Sequence, residues 1–296
     1  MTPPLLAVPN VSEGRDAGRI ATLEAAFSEN VSLLDRHSDA DHNRTVLTLA
    51  GDAPALPEAL VRGATSAIES IDMTAHTGVH PAIGALDVCP IVWLDAADRV
   101  AAREAALSVA DAIGALGVPV FLYGPLATGP EHAERAYFRN GGLAELWLRM
   151  EAGELRPDRG PRFPHRTAGA TLVSARPPLG AFNVELEGGD LDAARAVAAG
   201  LRESGGGLPG VRAIGLPLAS GRTQISTNVH DLVAVPLGEV VERVRALAAP
   251  LGASPVEAEL VSLVPEAALG GYPADVPIRD FDPARQTIER RLAALS

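Results

Sequence analysis

Apolar residues recur along the chain in short runs separated by alanine-rich stretches of helical spacing. Leu5 to Pro9 is an apolar run ended by Asn10, Ser12 and Gly14, which predicts a strand entering a loop, and Arg19 to Phe27 then has the spacing of a helix. Val31 to Leu34 and Thr45 to Leu49 read as strands on either side of a polar loop, Asp35 to Arg44. Leu56 to Ile71 is amphipathic and alanine-rich, hence a helix; Ala85 to Leu94 is an apolar strand, Val100 to Leu116 a helix, and Val118 to Tyr123 a strand closed by Gly124. The order is β-α-β-β-α-β followed by one more α-β.

The order returns after Pro177 and Pro178. Phe182 to Leu186 alternates as a strand, and Asp190 is placed to cap a helix running to Arg202. Val211 to Leu218 and Thr223 to Val229 read as paired strands around Ala219, Ser220 and Gly221, Pro236 opens a helix that runs to Ala249, and Val256 to Val264 is a strand. The tail starts with a turn and ends as a short charged helix. The fold class expected is therefore α/β (α+β): two subdomains, 1–178 and 179–296, each of the split βαβ type with a mixed sheet flanked by helices. The Gly- and Pro-containing stretch 156–169 is expected near the seam, with a ligand channel between the halves. A single continuous α/β domain is the alternative.

Composition narrows the chemistry. The chain has 296 residues, and all 25 of its Lys and Arg positions are arginine. Without lysine it can build neither a Schiff base nor the lysine-bearing phosphate loop. A formal charge of -12 argues against nucleic acid as a partner, since such binding depends on cations displacing counterions. Charged residues are 21% and hydrophobic ones 47%, the balance of a globular protein with a sizeable core. No apolar stretch approaches a membrane span and the N-terminus lacks the features of a signal peptide, so a cytoplasmic location is expected.

Several motifs have two readings. Gly205, Gly207 and Gly210 spell the dinucleotide fingerprint but follow a helix and precede a strand, the reverse of the required context, so a turn is expected. His76 and His80 have zinc-helix spacing, yet Gly78 lies between them and Pro81 follows, so the segment reads as a loop feeding a strand. A loop histidine at the mouth of a sheet is a candidate proton carrier. The loop from Asp35 to Arg44 is either a solvated turn or an oxygen-rich site without the full calcium pattern. Between Arg159 and Asn183 there are four arginines (Arg159, Arg162, Arg166, Arg176) and no acid, a composition that suits carboxylates or salt bridges alike. Cys89, inside an apolar strand, is expected to be a buried inert thiol.

The segments VPNVSEGRD, SDADHNRTV, HTGVHPAIGALDVCPI, VPVFLYG, AGATLVSAR and AFNVEL, followed by RAIGLPL, QISTNVHD and AELVSLVPEAAL, together resemble the formiminotransferase domain of the formiminotransferase-cyclodeaminase family. The resemblance spans nearly the whole chain and is most specific around His80. It implies a transferase of two α/β subdomains facing a cationic folate channel and assembled as a homodimer. It implies transfer of a formimidoyl group between N-formimino-L-glutamate and N5 of tetrahydrofolate, a step of histidine degradation, with tetrahydrofolate as co-substrate and no metal. The family's catalytic histidine falls on His80. Its folate-binding segment falls on Gly160, Pro161, Arg162, Phe163, Pro164, His165, Arg166, Thr167, Ala168 and Gly169, with Arg166 where the usual bacterial form has proline. The cyclodeaminase domain has no counterpart among these segments, so deamination is expected to need another protein.

On this reading His80 shuttles the proton between N5 and the departing glutamate nitrogen, supported by Asp39 or Asp41, while Arg44 and Arg176 are candidates for substrate carboxylates. Rival readings are another folate one-carbon reaction, such as formyl transfer or cyclisation of 5-formyltetrahydrofolate, and a folate-binding protein without catalysis. A metal hydrolase using His76, His80 and the Asp39 loop is a third.

Overall fold

The computed structural model describes residues 4–79 and 81–295. The chain divides into two compact units, Met1–Pro177 and Pro178–Ser296.

The first unit runs β1 (Leu5–Ala7), β2 (Asn10–Val11), α1 (Ala17–Ser28), β3 (Ser32–Asp39), β4 (Arg44–Gly51), α2 (Ala55–Ser70), β5 (Leu86–Val92), α3 (Arg99–Ala115), β6 (Val120–Leu122), α4 (Arg135–Arg139), α5 (Gly142–Glu151) and β7 (Thr171–Arg176). The short β1 and β2 both pair antiparallel with β4 on one side and with β5 on the other. β3 pairs β4 outside them, and beyond β5 lie β7 and then β6, both parallel pairings. Counting β1 and β2 as one broken strand, the four antiparallel positions read β3-β4-β1/β2-β5, with a parallel edge added.

Apolar positions on α1, α2 and α3 cover one face of this sheet. Leu23 and Phe27, Leu56 and Leu60, and Val109 and Ile113 pack with Leu47, Leu49, Cys89 and Ile91. Gly63 lets α2 approach α1, because a Cβ there would meet the Phe27 ring at 2.1 Å. Over the parallel edge the other face is covered too, by Phe138, Leu146 and Met150 of α4 and α5 on Val88, Phe121 and Leu172. Asp16 caps α1 by accepting from the Gly18 and Arg19 amides.

In the second unit β8 (Gly180–Glu187), α6 (Leu191–Leu201), β9 (Val211–Pro217), β10 (Thr223–Val229), α7 (Leu237–Ala248) and β11 (Ser254–Leu260) are followed by α8 (Pro283–Gln286) and α9 (Ile288–Ala293). The sheet order is β11-β8-β10-β9, all antiparallel. This is the split βαβ order, and the first unit repeats it before its parallel edge. Asp190 caps α6 through the Ala193 amide, and Val197, Leu201, Val240 and Val244 pack on Phe182, Val184 and Ile225. Glu257 stands opposite Glu185 across the β8–β11 pair, and Arg279 joins both carboxylates. Among the described residues no helix is long and apolar enough to cross a membrane.

Two expectations need correction. The polar run from Asp35 to Arg44 is not all loop: β3 continues to Asp39, pairing Asp35, His37 and Asp39 with Thr48, Val46 and Arg44, and only residues 40–43 turn. An edge strand tolerates polar side chains on both faces, which hides it from apolar patterning. A strand and two helices, β7, α4 and α5, also lie between Tyr123 and Phe182, where the sequence reading has none. The stretch 156–169 lies between α5 and β7. Its start is bonded to β6, where Val120 N donates to Arg159 O at 2.9 Å, and β7 separates its end from Pro177. Gly205–Gly210 forms the expected turn from α6 into β9, with Gly206 and Gly210 at φ of 78° and 68°.

Candidate functional site

Three stretches far apart in sequence meet in the first unit: the β3–β4 turn, the segment 72–85 between α2 and β5, and the turn 165–170 before β7. The ends of the middle segment are clamped to the last of these. Met73 N donates to Thr167 O at 2.7 Å, Ala85 N to Ala168 O at 2.9 Å, and Ala170 N to Ile83 O at 2.9 Å. His165 and Gly169 exchange backbone hydrogen bonds at 2.9 Å, closing that turn, and Gly169 has a φ of 68° with Ile83 O 2.1 Å from where a Cβ would stand.

The middle of the segment docks on the hairpin turn. Val79 N donates to Asp41 O at 3.1 Å, and Asn43 Nδ2 to Thr77 O at 2.9 Å. Asn43 sits at φ 49°, a left-handed position that asparagine tolerates, and its Oδ1 accepts from Gly14 N at 3.0 Å. Gly78 packs against the turn so closely that a Cβ would lie 2.4 Å from His42 O. Arg15 ties the same parts together, donating from Nε to Ala40 O at 2.8 Å and from a terminal nitrogen to Thr77 Oγ1 at 3.2 Å. His80 lies outside the described residues.

The charges are equally constrained. Asp39 accepts from the His42 amide at 2.9 Å, and its second oxygen is 2.5 Å from His42 Nδ1. Burial alone raises a carboxyl pKa, but the His42 bonds and the nearby Arg44 charge outweigh it and hold Asp39 well below the usual carboxylate range. His76 is shifted down by burial, against the pull of the Asp87 carboxylate, and its Nδ1 is 3.3 Å from Asn43 Nδ2. It is therefore a neutral imidazole at neutral pH, with Nδ1 accepting. Asp87, buried on β5, accepts from Ile83 N at 2.8 Å and forms an ion pair with Arg139. Burial also keeps Cys89 protonated, raising its pKa to about 12.

The family profile of the formiminotransferase domain, N-terminal subdomain, matches residues 5–176, and that of the formiminotransferase domain matches 181–271. The chain belongs to the formiminotransferase family. It is 37% identical over 294 residues to the glutamate formimidoyltransferase of Streptococcus pyogenes serotype M1, covering 96% of this chain and 97% of that protein. A glutamate formimidoyltransferase of Thermoplasma acidophilum is 36% identical over 268 residues, 88% of each chain. The formimidoyltransferase-cyclodeaminase of Mus musculus is 36% identical over 276 residues, which are 88% of this chain and 50% of the mouse protein.

Within this formiminotransferase the residues singled out by sequence are partly gathered. Asp39, Asp41 and Arg44 lie on the hairpin that receives the 72–85 segment, and Thr167, Ala168 and Gly169 lie on the turn that anchors it. Arg162, Phe163 and Arg166 project outward, Phe163 being 60% exposed, while Pro164 is buried. Arg159 pairs instead with Asp111 of α3. Arg176 stands at the far end of β7, where it donates to Pro177 O at 2.9 Å and hydrogen-bonds Tyr123.

Sequence reasoning placed His42 and Asn43 only within the polar stretch Asp35 to Arg44, and it missed Asp87, Arg135 and Arg139. Asp87 carried a signal, an acid inside an apolar strand, which calls for a buried partner. Arg135 and Arg139 lie in a region that the apolar pattern left blank.

Proposed function

We propose that this chain transfers the formimidoyl group between N-formimino-L-glutamate and N5 of tetrahydrofolate, giving 5-formimidoyltetrahydrofolate and L-glutamate. The observation that carries the reading is end-to-end similarity, at 37% identity, to a glutamate formimidoyltransferase of nearly the same length. N5 attacks the formimino carbon and forms the new C–N bond; the tetrahedral carbon then expels the glutamate nitrogen. His80 takes the proton that N5 loses and returns one to the leaving nitrogen, so a single imidazole serves as base and then as acid. Neither a lysine nor a metal is required.

Support for the acid-base assignment comes from the surroundings of His80 in the chain. Val79 is bonded to the hairpin that carries Asp39 and Asp41, and Ile83 to Asp87 and the 165–170 turn. Residues Gly160 to Gly169 are assigned to folate, and Arg44 and Arg176 to substrate carboxylates. The same reading has the enzyme acting in the cytoplasm as a homodimer, with tetrahydrofolate as its co-substrate.

The deciding assay follows folate products spectrophotometrically with tetrahydrofolate and either N-formimino-L-glutamate or N-formyl-L-glutamate. Turnover with the formimino donor, exceeding that with the formyl donor, is expected. Turnover with the formyl donor alone would move the reading to formyl transfer, and turnover with neither would remove it.

A further inference from the structure

On the face of the first sheet away from α1, α2 and α3, guanidinium groups gather around Tyr123. Arg135 holds its Cζ 5.8 Å from the centroid of the Tyr123 ring, and Arg176, at the end of the neighbouring strand, hydrogen-bonds to Tyr123. Arg139, one turn beyond Arg135 on α4, pairs with Asp87; its side chain is 9% exposed, and its Nε is buried without a hydrogen-bond partner. Burial pushes the Arg135 guanidinium down to about 10, and the charges of Arg139 and Arg176 act in the same direction. The Asp87 carboxylate acts on Arg135 in the opposite sense.

Three guanidiniums brought close together, one of them with a buried Nε that has no hydrogen-bond partner, is an unfavourable arrangement for stability alone. Cations taken from water need paired anions, and removing the excess charge by an apolar substitution is often neutral or stabilising. An arriving carboxylate changes the balance, because it accepts from the planar donor fork of arginine at two points and offsets the mutual repulsion. Tyr123 adds an aromatic face and a hydroxyl beside the same position.

We propose that Arg135 and Arg176, which meet at Tyr123, form a carboxylate-binding subsite together with Arg139, whose charge acts on Arg135. Asp87 joins it to the segment 72–85, since one of its oxygens pairs with Arg139 and the other takes the Ile83 amide. That the carboxylate is a glutamyl one rests on the transfer proposed above. Both substrates of that reaction supply such a group, one on the glutamate donor and one on the glutamyl tail of the folate.

The test is titration calorimetry on the full chain with L-glutamate and with tetrahydrofolate carrying one or three glutamates. Arg135→Gln and Arg176→Gln are compared with Arg103→Gln, an exposed arginine of α3, as control. Loss of a charge-assisted pair is expected to weaken L-glutamate binding about tenfold or more in each of the first two variants, with the control unchanged. If the folate tail is the source, the tighter binding of the triglutamate over the monoglutamate disappears instead. Arg176→Lys keeps the charge without the fork and is expected to fall between wild type and Arg176→Gln, an ordering that a general loss of folding would not produce. Wild-type affinity for all three ligands in both glutamine variants, or no binding of any of them by the wild type, overturns the subsite. A wild type that binds L-glutamate through these arginines yet transfers nothing would remove the transfer reading and leave the subsite standing.

Discussion

Nδ1 of His42 lies 2.5 Å from Oδ2 of Asp39, and the same carboxylate accepts the His42 amide at 2.9 Å. The two residues are the last of β3 and the third of the four-residue turn, so the pair closes the hairpin on which the 72–85 segment rests. The His42 ring is fully enclosed, which makes it a support for the site rather than a group that meets substrate.

The depressed pKa of Asp39 makes this support sensitive to acid. A carboxylate whose folded pKa lies below its unfolded value stabilises fully above about pH 4 and loses that contribution as the pH falls through the folded value. Asp39→Asn is therefore expected to cost roughly 1–3 kcal/mol at pH 7. Urea unfolding at a series of pH values checks it: the gap between wild type and variant should narrow below about pH 4. A gap that stays constant into acid would show that the charge of Asp39 is not what stabilises the turn.

Gly78→Ala places a methyl group 2.4 Å from the His42 carbonyl, so the backbone of the segment must lift from the turn. Turnover is expected to fall about 10²-fold, the effect of misplacing a catalytic group by roughly an ångström. Lifting the segment also strains the hydrogen bonds of Val79 and Thr77 to the turn, so the thermal midpoint is expected to fall as well. Steady-state kinetics beside a melting curve separates the two effects.

His80→Ala is expected to lower turnover by about 10²–10⁴-fold while substrate binding persists, the pattern of a lost proton carrier. Single-turnover measurements with saturating tetrahydrofolate read this directly. Undiminished turnover would place the proton transfers on another group.

Cys89 is enclosed in the first core, and its thiol is raised to about 12, so the nucleophilic thiolate is nearly absent at neutral pH. Iodoacetamide at pH 8 is expected to leave the native protein unlabelled and to label it once urea unfolds the first unit. Mass spectrometry of the intact chain follows the reaction, and rapid labelling of native protein would contradict the burial.

Much of this was legible along the chain because the signals are local. Period-two runs and helical spacing lie inside windows of about ten residues, so β8 to β11 with α6 and α7 could be read directly, including Asp190 as a cap. The edge strand β3 was cut short because its polar alternation resembles a loop, and β7 went unread as six residues between Gly- and Pro-containing stretches. Motif strings were enough to recognise the formiminotransferase family.

The meeting of the hairpin, the 72–85 segment and the 165–170 turn was decided only by the tertiary structure. It depends on backbone hydrogen bonds such as Met73 to Thr167, Val79 to Asp41 and Ala85 to Ala168, and every residue type but proline carries the amide and carbonyl they use. The partners of Asp39 and Asp87, and the gathering of Arg135, Arg139 and Arg176, likewise follow from how strands order themselves in a sheet. A sequence records which side chains are charged; the fold determines which of those charges must share a low-dielectric space, and so which of them need an anion to arrive.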